Sequence, residues 1–164
     1  VEELMKHADP EQFDLQAVID STTRAYRDVD KDRMFEFTSS VASAQASGSP
    51  ELLIQMLDKH VDNAVVFSED GDTITLALRE EDNALLIAVT NPGPELPERM
   101  RSQLFDSMVS MRSGNDSRHL GLGLYVARLI AEGHGGHISA DNVDGGVCFT
   151  VSIPSGCNLG ATKR

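Results

Sequence analysis

The stretch HLGLGLYVARLIAEGHGG, His119 to Gly136, sets Gly121 and Gly123 in front of apolar residues at helical spacing and closes with Gly135 and Gly136. Glycine lets a backbone approach a ligand closely. A helix starting near Leu122 would aim its free amide groups and the positive end of its dipole back at the pair. The chemistry on offer is the binding of an anion, phosphate above all. Two familiar phosphate turns do not fit: a dinucleotide turn needs a preceding strand and a third glycine where this chain has Val126, and the lysine that follows a P-loop is missing. For the pair alone, a glycine-eased loop packed on a helix remains an equal reading. Arg112, Arg118 and His119 gather positive charge ahead of the glycines, with a salt-paired surface as the plainer alternative. The SGNDSRH segment between Arg112 and Leu120 has the small, polar composition of a loop that orders around a ligand. His134 and His137 have H-x-x-H spacing, yet no third ligand accompanies them; beside Gly135 and Gly136 they read as histidine cations complementing a helix C-terminus.

The elements that must position these residues follow from periodicity. With 164 residues, 40% of them hydrophobic, the chain can bury one core. Its net charge of -12 argues against a protein that tracks a nucleic-acid backbone, because neutralising phosphates takes a surplus of Lys and Arg. Two cysteines, Cys148 and Cys157, suggest neither a disulfide framework nor a metal knuckle and fit a reducing, cytoplasmic setting. No apolar run approaches a membrane span, and the chain starts at Val1 without an initiator Met, as a piece of a longer protein would. Asp14 caps a helix with Leu15, Val18, Ile19, Thr22 and Tyr26 on one face; RMFEFTSS alternates as a strand; VASAQASGS reads as a mobile loop. Ser49 and Pro50 open a helix to about Phe67. DTITLALRE and ALLIAVTN form a hairpin around Glu81 to Asn83. ERMRSQLFDSMV gives a short helix, LGLYVARLIAEGH a longer one, and HISADN with VCFTVSIP a closing strand pair. This order predicts an α+β fold, a two-layer sandwich with helices on one face of a mixed, mostly antiparallel sheet.

VDNAVVFS on the second long helix, TNPGPELP after a strand, LFDSMVSMR, HLGLGLYVARLIAEGHGG and GGVCFTVSIP together resemble the ATP-binding catalytic domain of sensor histidine kinases. That domain belongs to a wider group with gyrase-like ATPases, chaperones and mismatch-repair proteins, sharing the GHKL or Bergerat-type nucleotide fold. The resemblance runs from about Phe13 to Pro154. It implies an ATP-binding catalytic domain over 13–155, preceded by the tail of an upstream helix and a linker (1–12) and followed by a polar tail (156–164). It also implies ATP and Mg²⁺ as cofactors and transfer of the γ-phosphate to a histidine on an upstream dimerisation domain, for relay to a response regulator. The parent protein would be a homodimer in the bacterial inner membrane with this domain in the cytoplasm. None of the five histidines lies in the acidic, Thr-Pro-containing context of a phosphoacceptor.

The resemblance also implies roles. Asn63 matches the magnesium-binding Asn, a neutral, hard oxygen ligand, and Phe67 takes the place of a Tyr beside the adenine pocket. Asn91 stands where most relatives have the Asp that accepts from the adenine amino group. An amide oxygen still accepts, without the charge assistance, at a cost of about 1 kcal/mol. Gly93 keeps the first glycine of D-x-G-x-G, and Glu95 replaces the second. Phe105 matches the first Phe of the lid's F box and Met108 replaces the second, while Arg112 is the candidate to touch the terminal phosphates. Gly121, Leu122, Gly123 and Leu124 complete the nucleotide site, with His119 in a glycine's place; Asn63 and Arg112 carry the catalysis. Hydrolysing relatives place a general-base Glu one turn before the magnesium Asn, where this chain has Lys59, which in its charged form cannot act as that base. Val66, Asn91, Glu95 and His119 keep open a degenerate binding or scaffolding module.

Overall fold

Asp14 ends a strand and starts a helix. Its carboxylate accepts the N–H of Gln16 (3.1 Å), capping the helix, and the N–H of Ala44 (3.0 Å), drawing in a distant segment. The computed structural model describes residues 10–41, 43–103, 105 and 117–156. In chain order its elements are β1 (Glu11–Asp14), α1 (Leu15–Val29), β2 (Met34–Ser39), β3 (Gln45–Gly48), α2 (Pro50–Phe67), β4 (Thr73–Glu81), β5 (Ala84–Pro92), α3 (Glu98–Gln103), α4 (Ser117–Gly133), β6 (His137–Val143) and β7 (Gly146–Pro154). Five strands form one sheet in the order β2-β4-β5-β7-β6, with β2 parallel to β4 and every other pair antiparallel. Asp82 and Asn83 turn the β4–β5 hairpin with positive φ (49° and 64°), the conformation that suits a two-residue turn to the twist of its strands.

The helices cover one face of this sheet. Leu15 and Ile19 of α1, Leu53, Met56 and Leu57 of α2, and Ala127, Ile130 and Ala131 of α4 pack on Ile74, Leu76, Leu78, Leu85, Ile87, Val151 and Ile153. Burying each Leu or Ile stabilises the fold by about 1.5–3 kcal/mol, so the alternation of the strands and the 3.6-residue period of the helices select the same interior. This is the expected α+β, two-layer arrangement. Among the described residues no helix is long and apolar enough to cross a membrane.

Three local expectations change. The segment read as a loop holds β3, and the segment read as linker holds β1; the two pair antiparallel with Asp14 opposite Gln45. Gln45-Ala46-Ser47-Gly48 buries only one methyl group, that of Ala46, so no alternation of large apolar residues marks it. Helix α4 begins at Ser117, which places Gly121 and Gly123 in its second turn rather than ahead of its first. The free amides at its start therefore belong to the turn from Ser117. Glycine costs a helix interior only about 1 kcal/mol relative to Ala, so two glycines need not stop it. Finally, His134 is not a helix-terminal cation. It is buried, its Nε2 accepts the N–H of Ser49 (3.1 Å), and its Nδ1 lies 2.9 Å from the Ile130 carbonyl. An Nε2 that accepts carries no proton, and a carbonyl can only accept, so the ring is the neutral tautomer protonated on Nδ1. It joins the C-terminus of α4 to the cap of α2.

Candidate functional site

Asn91, near the end of β5, lines a cavity of about 160 Å³ together with Phe67 from the last turn of α2, Leu96 and its flanking prolines, and Val147 and Phe149 of β7. The volume corresponds to several waters at about 30 Å³ each, and its walls are apolar apart from Asn91 and Glu95. Asn91 is 1% exposed; its Nδ2 donates to the Pro92 carbonyl (2.8 Å), and its Oδ1 has no hydrogen-bond partner among the described residues. The carbonyl of Pro92 can only accept, which fixes the amide with nitrogen toward it and leaves the oxygen as the uncommitted acceptor.

Each wall has a cause in the sequence. Phe67 is held by the end of α2, where Arg33 gathers the terminal carbonyls: Nη2 donates to Val65 O (3.1 Å) and Ser68 O (2.9 Å), and Nε donates to Ser68 Oγ (3.1 Å). At its other end α2 starts on Ser49, whose Oγ accepts the N–H of Leu52 (3.2 Å), with Pro50 in the first turn. Gly93 begins the segment that passes under Phe67. Its φ is +152°, and a Cβ there would stand 2.9 Å from the Phe67 carbonyl oxygen, so both conformation and space require glycine. Its N–H donates to Gly145 O (3.1 Å). Three residues on, both backbone groups of Leu96 bond the side-chain amide of Asn142 on β6: Leu96 N–H to Oδ1 at 2.8 Å, and Nδ2 to Leu96 O at 3.1 Å.

A second apolar cluster, distinct from the main core, shares Phe67, Leu96, Val147 and Phe149 with the cavity wall. Leu96, Leu124, Val147 and Phe149 are buried in it, with Phe67, Phe105 and Ala140 packed against them. Phe105 meets Phe149 edge to face (6.0 Å, 86°), and its carbonyl accepts from Arg128 Nη1 (2.9 Å).

Two polar side chains on α2 are unmet. Asn63 is 5% exposed, and neither its Oδ1 nor its Nδ2 has a partner among the described residues. One turn earlier His60 is 1% exposed, packs its ring on Phe149 (5.8 Å), and likewise leaves both nitrogens without a partner. Burial in this apolar setting lowers its pKa to about 4, so the ring is neutral at pH 7. On the flank of α2, Tyr26 Oη donates to Asp58 Oδ1 (2.7 Å); burial, then that bond and the charges of Asp58 and Asp62, push the phenol's pKa up. The Asp62 carboxyl is also pushed up, by burial and then Asp58, with Lys59 opposing.

Of the residues singled out from sequence, the fold brings Phe67, Asn91, Glu95, Phe105 and Leu124 to one cavity or its cluster, sets Gly93 at the start of the segment that walls it, and puts Asn63 one turn back from Phe67 on the same helix. Arg112 and Met108 lie outside the described residues. Arg118, His119, Gly121, Leu122 and Gly123 are described only as backbone of α4. Leu96, Val147, Phe149 and Asn142 were not foreseen. The alternation of VCFTVSIP marks Val147 and Phe149 as buried without distinguishing core from cavity wall, and nothing local marks an Asn whose partner is 46 residues away.

The family described as histidine kinase-, DNA gyrase B-, and HSP90-like ATPase matches residues 48–156. The adaptive-response sensory kinase SasA of Prochlorococcus marinus is 35% identical over 103 residues, which are 61% of this chain and 27% of SasA. The chain thus spans about a quarter of that relative's length. The catalytic domain of histidine kinase ThkA superposes with a TM-score of 0.79 at 23% identity, covering 90% of this chain and 96% of that one. A second structure, of ThkA in complex with the response regulator protein TrrA, gives a TM-score of 0.77 at 22% identity over 94% of this chain and 43% of that one. At these identities the two structures speak to the fold.

Proposed function

The chain belongs to the histidine kinase-, DNA gyrase B-, and HSP90-like ATPase family, and from that premise we propose that it binds Mg-ATP and donates the γ-phosphate to a histidine of a dimerisation domain, for relay to a response regulator. The observation that carries this reading is the pair of buried amides with unmet hydrogen-bonding capacity, Asn91 at the cavity and Asn63 on α2. Buried polar groups without partners cost about 1–3 kcal/mol each and are uncommon in stable domains; a ligand that supplies the partners accounts for both.

The residues fit such a ligand. Asn91 Oδ1 accepts from an exocyclic amino group at the edge of a purine, while Phe67, Leu96, Val147 and Phe149 take its faces out of water. Asn63 Oδ1 is a neutral, hard oxygen of the kind that holds Mg²⁺, an ion that would neutralise charge on the phosphate oxygens. Arg112 and the Gly121–Leu124 turn of α4 stand as the phosphate side of the same site. Transfer of this kind is chiefly positioning and charge compensation, and Lys59, where hydrolysing relatives have a base, favours slow loss of phosphate to water. The domain boundaries, 13–155 with flanking tails, belong to the same proposal. So does a parent that is a membrane-bound homodimer with this domain in the cytoplasm.

Calorimetric titration tests it. The domain is expected to bind ADP and ATP saturably with Mg²⁺. Asn91→Ala is expected to bind about tenfold more weakly, the equivalent of one hydrogen bond, and Asn63→Ala to lose the enhancement by Mg²⁺. No saturable binding by the unaltered domain, or binding that survives both changes, overturns the reading.

A further inference from the structure

Asn91, Val147 and Asn142 stand side by side in one row across β5, β7 and β6, with Asn91 opposite Val147 and Val147 opposite Asn142. The segment 93–97 leaves the sheet at the Asn91 end of this row and is fastened again at the Asn142 end, so the cavity is the space between the segment and the row. The chain within that span has few ways to hold itself. Pro94 and Pro97 have no N–H, and the N–H of Gly93 is committed to Gly145 O. The segment's far attachment is Leu96, whose N–H and C=O both bond the Asn142 amide, the side chain that presents a donor and an acceptor at the spacing of a peptide group. Leu96 is 7% exposed and forms part of the cavity wall. One residue earlier on β6, Asp141 pairs with Arg101 of α3 (3.4 Å), so the same edge strand anchors the segment's continuation.

We propose that Asn142 is a positioning residue of the nucleotide site, fastening Leu96 over the cavity so that escape of a bound base requires this amide to let go. The inference rests on the nucleotide reading above. It assigns a role in affinity to a side chain outside the cavity, acting through Leu96. An alanine at 142 removes both bonds at once and leaves the backbone pairing of β6 with β7 intact.

Two measurements on Asn142→Ala test it. Amide hydrogen exchange, which needs no ligand, is expected to show the Leu96 N–H exchanging at least tenfold faster while Val89 and Val151 keep the protection of the unaltered chain. Stopped-flow with a fluorescent ADP analogue and Mg²⁺ is expected to show dissociation about tenfold faster and association within about twofold. A merely structural defect behaves otherwise: a smaller competent fraction weakens apparent affinity through association and stoichiometry and leaves dissociation alone. Unchanged Leu96 exchange overturns the fastening. Faster exchange with unchanged dissociation overturns its role in binding. If the unaltered chain binds no adenine nucleotide, it is the functional reading that fails, and the exchange result still decides whether Asn142 holds the segment.

Discussion

Asn91 meets the cavity with an acceptor oxygen that has no partner among the described residues, its Nδ2 being committed to the carbonyl of Pro92. On the nucleotide reading this makes base choice a matter of one atom. A 6-amino purine offers a donor there and a 6-oxo purine a second acceptor, so GDP is expected to bind at least tenfold more weakly than ADP, and Asn91→Ala to narrow the gap; equal binding of the two by the unaltered chain would refute this. His60 makes a different prediction. Its ring is neutral in the fold down to about pH 4, whereas an unfolded histidine takes up a proton near 6.5, so the unfolded chain binds more protons between those values. Stability is therefore full above pH 6.5 and falls as pH drops toward 4, by roughly 3 kcal/mol in total. His60→Leu is expected to raise stability at pH 7.5 by about 1–3 kcal/mol, by removing two unmet nitrogens, and to abolish this slope. Urea midpoints at pH 7.5 and 5 measure both. At this scale the sequence was partly legible. Asn91 is legible through the resemblance that TNPGPELP carries. That the His60 nitrogens lack partners among the described residues, with the ring packed on Phe149, depends on a strand 89 residues away, which no local pattern encodes.

Helix α2 owes its fixed length to caps at both ends, and the two differ in how visible they are. Ser49-Pro50 is a start signal written in adjacent residues; at the stop, Ser68 donates to the Val65 carbonyl, and Arg33, arriving from the turn before β2, donates to the carbonyls of Val65 and Ser68. Arg33→Ala is expected to lower stability by about 1–3 kcal/mol, seen as a lower urea midpoint with an unchanged slope, and to weaken nucleotide binding because Phe67 sits on the turn that frays. A loss of stability with no loss of affinity would separate the cap from the cavity. Helix α4 offers the opposite case. With Gly121 and Gly123 in helical backbone, Ala at either position is expected to stabilise the ligand-free domain by about 0.5–1 kcal/mol. If the glycines serve close approach of phosphates, the same change lowers affinity for ATP. A variant that gains stability and keeps its affinity would reduce the pair to a packing feature. The helices and the β4–β7 strands could be read from sequence because period and breakers agree over many residues. The ribbon of β1 and β3 could not, since it is built from Ala, Ser and Gly and is specified by the Asp14 carboxylate reaching Ala44 across 30 residues.

For the molecule as a whole, the two-layer plan concentrates apolar burial under the helices and leaves the cavity with a separate, smaller cluster, so ligand and core are expected to contribute to stability in sequence rather than compete. Mg-ADP at a hundredfold excess over its Kd is expected to add about 2.7 kcal/mol, raising the melting temperature by about 5–10 °C for a domain of this size; a midpoint indifferent to nucleotide would contradict the site. The layer plan was legible because a strand buried on one face and a helix buried along one stripe have few ways to meet. The cavity was not, because its walls converge from α2, β5, β7 and the segment between β5 and α3. One attachment has a mechanical side. His134 joins the end of α4 to the start of α2, while Phe67, at the far end of α2, and Leu124, midway along α4, share the second cluster. Helices of 18 and 17 residues are rods of about 25 Å. The imidazole is thus a tie between two rods at the end of α2 remote from Phe67, a helix length away from the cavity.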